Sequence, residues 1–393
     1  MAKIVNSWDE WSPLKRIIVG RVRGTQIPAP EPNWQYPNAE GGFPLGSWGM
    51  FPKDMVEKAE EQQENFVKLL EKRGVIVDRV ELHPVTLSPT PVSTPDWTQL
   101  NMHGISNPRD MFITMGNEII ECAGSHRSRW YEYLHLRPLF QKYFKEDPDF
   151  LWSAAPKPRL TEKSYVRNWD YLAGEVWDQA TKDKMITEWK YQLTEEEPLW
   201  DGADGARAGR DIFWKCSAVT NRSGLDWLKR FFAARGIRVH PVIFDYRAYG
   251  DYKTWHIDCE LTMVRPGLVI TNPSGPIYNQ EIIDLFKRND WEMVVAAPAT
   301  YEYNAPVSLC GTFGHDAGGQ HGTSIISMNT LALDPNTIFA EAHETAYLEQ
   351  LDKMGIEVIP VPYQHVVPFG GALHCTTLDV YRESSQGDYF PRQ

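Results

Sequence analysis

Near its end the chain reads "FGGALHCTTL" (369–378), a lone thiol, Cys375, set behind two glycines and a histidine. A buried structural cysteine needs no flexible glycine approach, and a zinc ligand wants a second cysteine close by in sequence. Other residues able to do chemistry stand where β-like segments begin. Asp110 opens "RDMFI", and Asp211 opens "RDIFW" with Asp201 and Asp204 of "DGAD" just upstream. His256 and Asp258 open "HIDCEL". Taken singly, each has an ordinary structural reading: a capped turn, a core histidine, a buried thiol. Together they define one kind of chemistry. Carboxylates arranged around a planar cation suit a guanidinium, whose N–H fork pairs with them bidentately. The guanidino carbon is then open to a thiolate. A thiol of ordinary pKa near 8.5 ionises more readily beside a cation such as a bound guanidinium or a protonated histidine. His256 supplies proton transfer near neutrality, with Asp258 able to fix its tautomer. The residues alone rank Asp201 and Asp211 equally. A zinc set built from Cys375, His256 and the carboxylates lacks close-spaced ligand pairs, so the expected metal set is none.

These residues lie far apart in sequence, and a repeating fold has to gather them. An amphipathic helix followed by a break and an apolar strand recurs at 66–82, 139–156, 225–244, 282–298 and 347–363. In three of these the break is a glycine (Gly74, Gly236, Gly355), the residue suited to the left-handed end of a helix. Hairpin-like segments stand between them at 109–122, 256–273 and 324–342, turning at Gly116-Asn117, Pro266-Gly267 and Asp334-Pro335-Asn336. The segment 14–22 reads as the first strand, with 375–383 as the partner that closes a ring. This order predicts an α/β protein, a pseudo-fivefold α/β propeller of ββαβ-type repeats. Equivalent strand ends in such an array point at the axis and bring the thiol, the histidine and the carboxylates into one pocket. The stretches 83–97 and 157–197 read as insertions, and the whole of 1–393 reads as one domain.

Composition narrows the partners. The 393 residues carry a formal charge of −12, with no cluster of lysine and arginine to meet nucleic acid. No apolar run approaches the ~20 residues of a membrane span, and the start lacks the apolar core of a secretory signal. The five cysteines (122, 216, 259, 310, 375) are scattered without C-x-x-C, as expected of reduced thiols in a cytoplasmic enzyme.

The motifs resemble those of the glycine amidinotransferase family, within the guanidino-modifying superfamily. The resemblance runs from "NSWDEWSPLKRIIVGR" (6–21) and "FPKDMVEKA" (51–59) through "NPRDMFITMGNEIIE" (107–121), "APKP" (155–158) and "RAGRDIF" (207–213) to "HID" (256–258), "SMN" (327–329) and "GGALHC" (370–375). It implies a fivefold α/β propeller and transfer of the amidino group of L-arginine to an acceptor amine, with release of ornithine. It makes Cys375 the nucleophile, His256 the general acid/base and Asp201 the acid of a D-x-x-D segment. Asp110 is then the residue that grips the guanidinium, and Asp258 a substrate contact. No cofactor is implied, and a homodimer is among the assemblies it allows. This chain departs from the family pattern at three places. Gly275 stands where the family has an arginine for the donor carboxylate. Gly322-Thr323 replaces a serine pair, which makes Thr323 a candidate substrate contact. The segment 245–255 is longer than its family counterpart and offers Arg247 and Lys253, with Arg247 the favoured carboxylate partner for its bidentate fork. The departures fit bacterial members that amidinate amines in secondary metabolism. Alternatives are glycine as the acceptor, a hydrolase similar to arginine deiminase, and a non-catalytic guanidinium-binding module.

Overall fold

The computed structural model describes residues 3–33, 48–166, 192–245, 256–273, 275–301 and 325–393, with scattered positions between 178 and 190. Among them five three-stranded sheets share one plan: two antiparallel strands, then a helix, then a third strand laid parallel to the second. In the first sheet Thr377–Arg382 pairs with Leu14–Val19, the helix is Lys53–Lys72, and Ile76–Arg79 lies on the other side. The pairing expected between the two ends of the chain is present, with Ile17 opposite Asp379 and Val19 opposite Thr377. The second sheet is Phe112–Met115, Glu118–Glu121 and, after helix Tyr133–Glu146, Leu151–Ala154. The third is Gly205–Ala208, Asp211–Lys215, helix Arg222–Ala233 and Arg238–Val242. The fourth is Leu261–Arg265, Leu268–Thr271, helix Gln280–Arg288 and Glu292–Val295. The fifth is Leu331–Asp334, Thr337–Glu341, helix Thr345–Lys353 and Glu357–Val361. Each parallel crossover carries its own helix, the connection such a strand pair requires.

The local signals explain these elements. Phe66 and Leu70 on one helix, and Leu225, Leu228 and Phe232 on another, recur at helical spacing and are buried. Gly74, Gly236 and Gly355 take positive φ where their helices end; at the fourth helix Asp290 does the same with φ 60°. The hairpin of the third sheet was not among the expected ones: it turns at Gly209-Arg210, so Asp211 opens a second strand rather than a first.

The apolar faces meet between neighbouring sheets. Ile18 and Val380 of the first sheet share a core with Phe112 and Ile119 of the second. Ile113 and Ile120 share one with Ile212 and Trp214 of the third. Phe213 and Val242 join Met263 and Val269 of the fourth, and Val264 and Ile270 join Ile338 and Ala340 of the fifth. Leu331 and Phe339 of the fifth sheet then join Leu14 and Ile17 of the first. Fully burying one such side chain stabilises the fold by about 1.5–3 kcal/mol, so each contact between sheets rests on several of them.

Candidate active site

Before the first strand of four sheets the chain makes a short helical turn: Pro108–Met111, Gly202–Asp204, Ile257–Cys259 and Ile325–Met328. These turns hold or border Asp110, Asp201 and Asp204, His256 and Asp258, and Asn329. In the remaining sheet Cys375 stands two residues before Thr377–Arg382. Glycines let the loops approach closely. A Cβ on Gly202 would lie 2.7 Å from the carbonyl oxygens of Arg109 and Phe112. One on Gly371 would lie 2.4 Å from Cys375 Cβ and 2.9 Å from its Sγ, so the glycine approach to the thiol is a space requirement.

Cys375 is buried, and its Sγ donates to Asp258 Oδ2 at 3.3 Å. Asn329 Nδ2–H donates to the same sulfur at 3.0 Å, and Asn329 Oδ1 accepts the backbone N–H groups of His374 and Cys375 at 3.0 and 3.1 Å. A second thiol, Cys259, lies 3.5 Å from Asn329 Nδ2. The hydrogen bond with Cys259, then burial and the Asp258 carboxylate, push the Cys375 thiol well above its ordinary range. At rest it is a neutral thiol.

His256 sits between two carboxylates, Nε2 3.3 Å from Asp201 Oδ2 and Nδ1 3.6 Å from Asp110 Oδ1. Burial opposes charge on the ring, but Asp110, Asp201 and Asp204 overcome it and raise the imidazole to about 10. It is therefore an imidazolium at neutral pH. Burial raises Asp110, whose Oδ2 accepts from Arg129 at 2.6 Å, while Arg129 also forks onto Glu132. Burial likewise raises Asp204 to about 6, with Ser217 and Thr220 each donating to its Oδ2 at 2.6 Å.

Asp258 leads into a buried ionic chain. Burial would raise this carboxyl, but His374, with Nδ1 2.9 Å from Oδ2, holds it below its ordinary value. His374 Nε2 lies 3.4 Å from Glu10, which pairs with Arg207, and Arg207 reaches Asp379 at 2.6 Å. Arg109 and Arg382 also bond Asp379. Removing one member of such a network leaves uncompensated buried charge, so it fixes the loops rigidly.

Four carboxylates of the site each keep one buried oxygen without a hydrogen-bond partner among the described residues: Asp110, Asp201, Asp204 and Asp258, in each case Oδ1. Buried acceptors left unpaired are costly, so the arrangement calls for a cationic ligand with several donors.

Of the residues picked out in the sequence, Cys375, His256, Asp201, Asp110 and Asp258 are brought together. Asp211 is not: it heads a second strand and is held by Nε and Nη2 of Arg238 (2.8 and 2.7 Å) and by His240 (2.6 Å). Arg247, Lys253 and Thr323 lie outside the described residues. Asn329 and His374 have no role that the sequence alone assigns. Both were signposted by position: each lies just before a first strand, inside a motif already noticed for its neighbours.

No protein-family model matches the chain. Over 395 residues it is 34% identical to the mitochondrial glycine amidinotransferase of Xenopus laevis, covering 98% of this chain and 85% of that protein. The chain belongs to the glycine amidinotransferase family. It is an enzyme, an amidinotransferase. It is also 28% identical, over 98% of its length and 96% of the relative's, to the L-arginine:L-lysine amidinotransferase of Pseudomonas savastanoi pv. phaseolicola. Among solved structures, SxtG, an amidinotransferase from Microseira wollei in the saxitoxin biosynthetic pathway, matches with TM-score 0.80 and 30% identity, covering 98% of this chain and 99% of that one. Among the described residues no helix is long and apolar enough to cross a membrane.

Proposed function

We propose that this amidinotransferase takes its amidino group from L-arginine, carries it on Cys375 and passes it to a small amine in secondary metabolism. The observation that carries the reading is the set of buried carboxylate oxygens of Asp110, Asp201 and Asp258 that have no hydrogen-bond partner among the described residues, beside a thiol and an imidazolium. A guanidinium supplies planar N–H donors to such a set.

Asp110 and Asp201 hold the guanidinium. Its positive charge favours ionisation of Cys375, whose proton is released as the cation enters. The thiolate attacks the guanidino carbon. As the bond from that carbon to arginine Nε breaks, His256 protonates the departing nitrogen and ornithine leaves. Asn329 Nδ2–H stabilises the sulfur whenever it is anionic. The acceptor amine then attacks the amidino carbon, neutral His256 takes its proton, and the C–S bond breaks to return the thiolate. Asp258, held by His374, keeps the carbon and the sulfur in register.

We infer that the five sheets close as a five-bladed α/β propeller and that 1–393 is one domain; the shared core between the fifth and first sheets supports this. The protein with arginine and no acceptor is the decisive experiment. Intact-mass spectrometry should show an amidino adduct that maps to Cys375 and is absent from Cys375→Ser. An adduct on Cys259 overturns the assignment, and citrulline as the product makes the enzyme a hydrolase instead.

A further inference from the structure

We propose that Asp258, Cys259 and Cys375 form a binding site for a thiophilic divalent cation of the zinc class, and that its occupancy closes the site to arginine. The effect on turnover rests on the proposed role of Cys375; binding of the cation does not.

The geometry is that of a three-ligand metal site. The two sulfurs and a carboxylate oxygen all lie within 4.8 Å of one another, and all three residues are buried. The separation of Cys375 Sγ from Asp258 Oδ2 is 3.3 Å. With bonds of about 2.3 Å to sulfur and 2.0–2.2 Å to oxygen, tetrahedral ligands stand roughly 3.6–3.8 Å apart. The existing spacing therefore reaches that geometry by side-chain rotation within the turn Ile257–Cys259. A solvent molecule would complete the coordination.

Two further observations point the same way. Asp258 Oδ1 is buried without a hydrogen-bond partner among the described residues, leaving the carboxylate with acceptor capacity. The outer contacts are also those that ligands of a cation need. Asn329 Nδ2 lies 3.0 Å from one sulfur and 3.5 Å from the other, where it can donate to thiolates, and His374 lies 2.9 Å from the carboxylate. Cys259 has no part in the proposed transfer chemistry, so its place beside the nucleophile is otherwise unused.

Both thiols are held up in the resting protein. For Cys375 the leading cause is the bond to Cys259. For Cys259 the bond to Cys375 acts downward, and burial with the Asp258 and Glu260 carboxylates outweighs it. A dication reverses that balance, because its own charge is larger than any nearby and its thiol ligands bind deprotonated. Binding thus exchanges one M²⁺ for two protons, leaving two thiolates and one carboxylate on the metal.

Cadmium is the probe, since its thiolate charge-transfer absorbance counts bound sulfurs. The expected result for the reduced wild-type protein is one Cd²⁺ with a two-thiolate band and two protons released. Cys259→Ser should keep a one-thiolate band at most, with Kd weakened by roughly tenfold or more. Arginine should compete with the ion, and Zn²⁺ should inhibit turnover. Circular dichroism and the Tm of Cys259→Ser confirm that it folds. The idea is overturned if that folded variant keeps the full band and affinity, or if arginine and Cd²⁺ bind together. A two-thiolate band in a protein that never forms the arginine adduct leaves the cation site standing and removes the proposed function instead.

Discussion

Asn329 holds Cys375 at two points: its Nδ2–H donates to Sγ at 3.0 Å, and its Oδ1 accepts the backbone N–H of the same residue at 3.1 Å. One amide thus fixes both the position of the sulfur and the direction from which its charge is stabilised. A hydrogen bond to a charged group contributes about 1.5–3 kcal/mol. Asn329→Ala should therefore slow adduct formation by about tenfold to a hundredfold, with the optimum moved to higher pH. Asn329→Asp should do worse, because it sets a carboxylate against the thiolate. A time course of adduct mass at several pH values measures both, and an unchanged rate in Asn329→Ala removes the residue from the mechanism.

His256 makes a prediction about stability as well as rate. Its folded-state pKa is raised to about 10 from an ordinary 6.5. The protonated ring therefore stabilises the fold fully below about 6.5, and this contribution is lost as pH rises through about 10. His256→Asn should lower turnover by about 10²–10⁴-fold. The difference in unfolding free energy between wild type and variant should be largest at acid pH and fade above pH 10. A difference that grows with pH contradicts the charged state assigned to the ring.

Asp201 and Asp211 should separate cleanly. Asp201→Asn removes a charge from the proposed cation clamp, so it should fold normally and fail in turnover. Asp211→Asn takes a fully buried carboxylate from Arg238 and His240 and should lower stability by on the order of 1–3 kcal/mol. Thermal unfolding and arginine turnover of the two variants decide between them. The reverse pattern would make Asp211 the clamp residue and Asp201 the structural one.

Asp110 and Asp211 show how far the sequence could be read. "RDMFI" and "RDIFW" look alike, yet Asp110 precedes the first strand of its sheet while Asp211 opens the second strand of its own. The difference lies in one tight turn at Gly209-Arg210, weaker as a signal than the strands around it. The end-to-end pairing of 14–19 with 377–382 was legible because apolar runs at both termini needed a partner. Asn329 and His374 were not, because an amide or a ring becomes informative only when its neighbours in space are known. The ionic chain from Asp258 to Asp379 was hidden for the same reason: Glu10, Arg207 and Asp379 are distant in sequence.

The donor carboxylate offers a test of the segment before His256. If Gly275 stands, as the family resemblance implies, in place of an arginine that binds the donor carboxylate, a replacement cation is required for the carboxylate to be read, and we propose Arg247. Agmatine, which lacks the carboxylate, should then have a KM about tenfold to a hundredfold above that of arginine. Arg247→Ala should erase the difference. Equal KM values for the two donors in the wild type mean that the carboxylate is not recognised.

The last prediction returns to the glycines before the thiol. Gly371 does not take a positive φ, so its backbone tolerates alanine. The space does not: an added Cβ would meet Cys375 Cβ at 2.4 Å and Sγ at 2.9 Å, closer than real contacts allow. Something must move, and Cys375 is held by Asn329 and Asp258 on its other sides. A forced shift of the sulfur by a few tenths of an ångström misaligns it with the guanidino carbon. Displacements of about 1 Å at a reacting centre cost on the order of a hundredfold in rate. Gly371→Ala should therefore lose roughly tenfold or more in adduct formation while arginine still binds, because Asp110 and Asp201 lie on other loops. Equilibrium binding of arginine and the adduct time course separate these two effects. Full activity in a folded Gly371→Ala protein would show that the loop yields instead, and that the sulfur is less firmly placed than its hydrogen bonds imply.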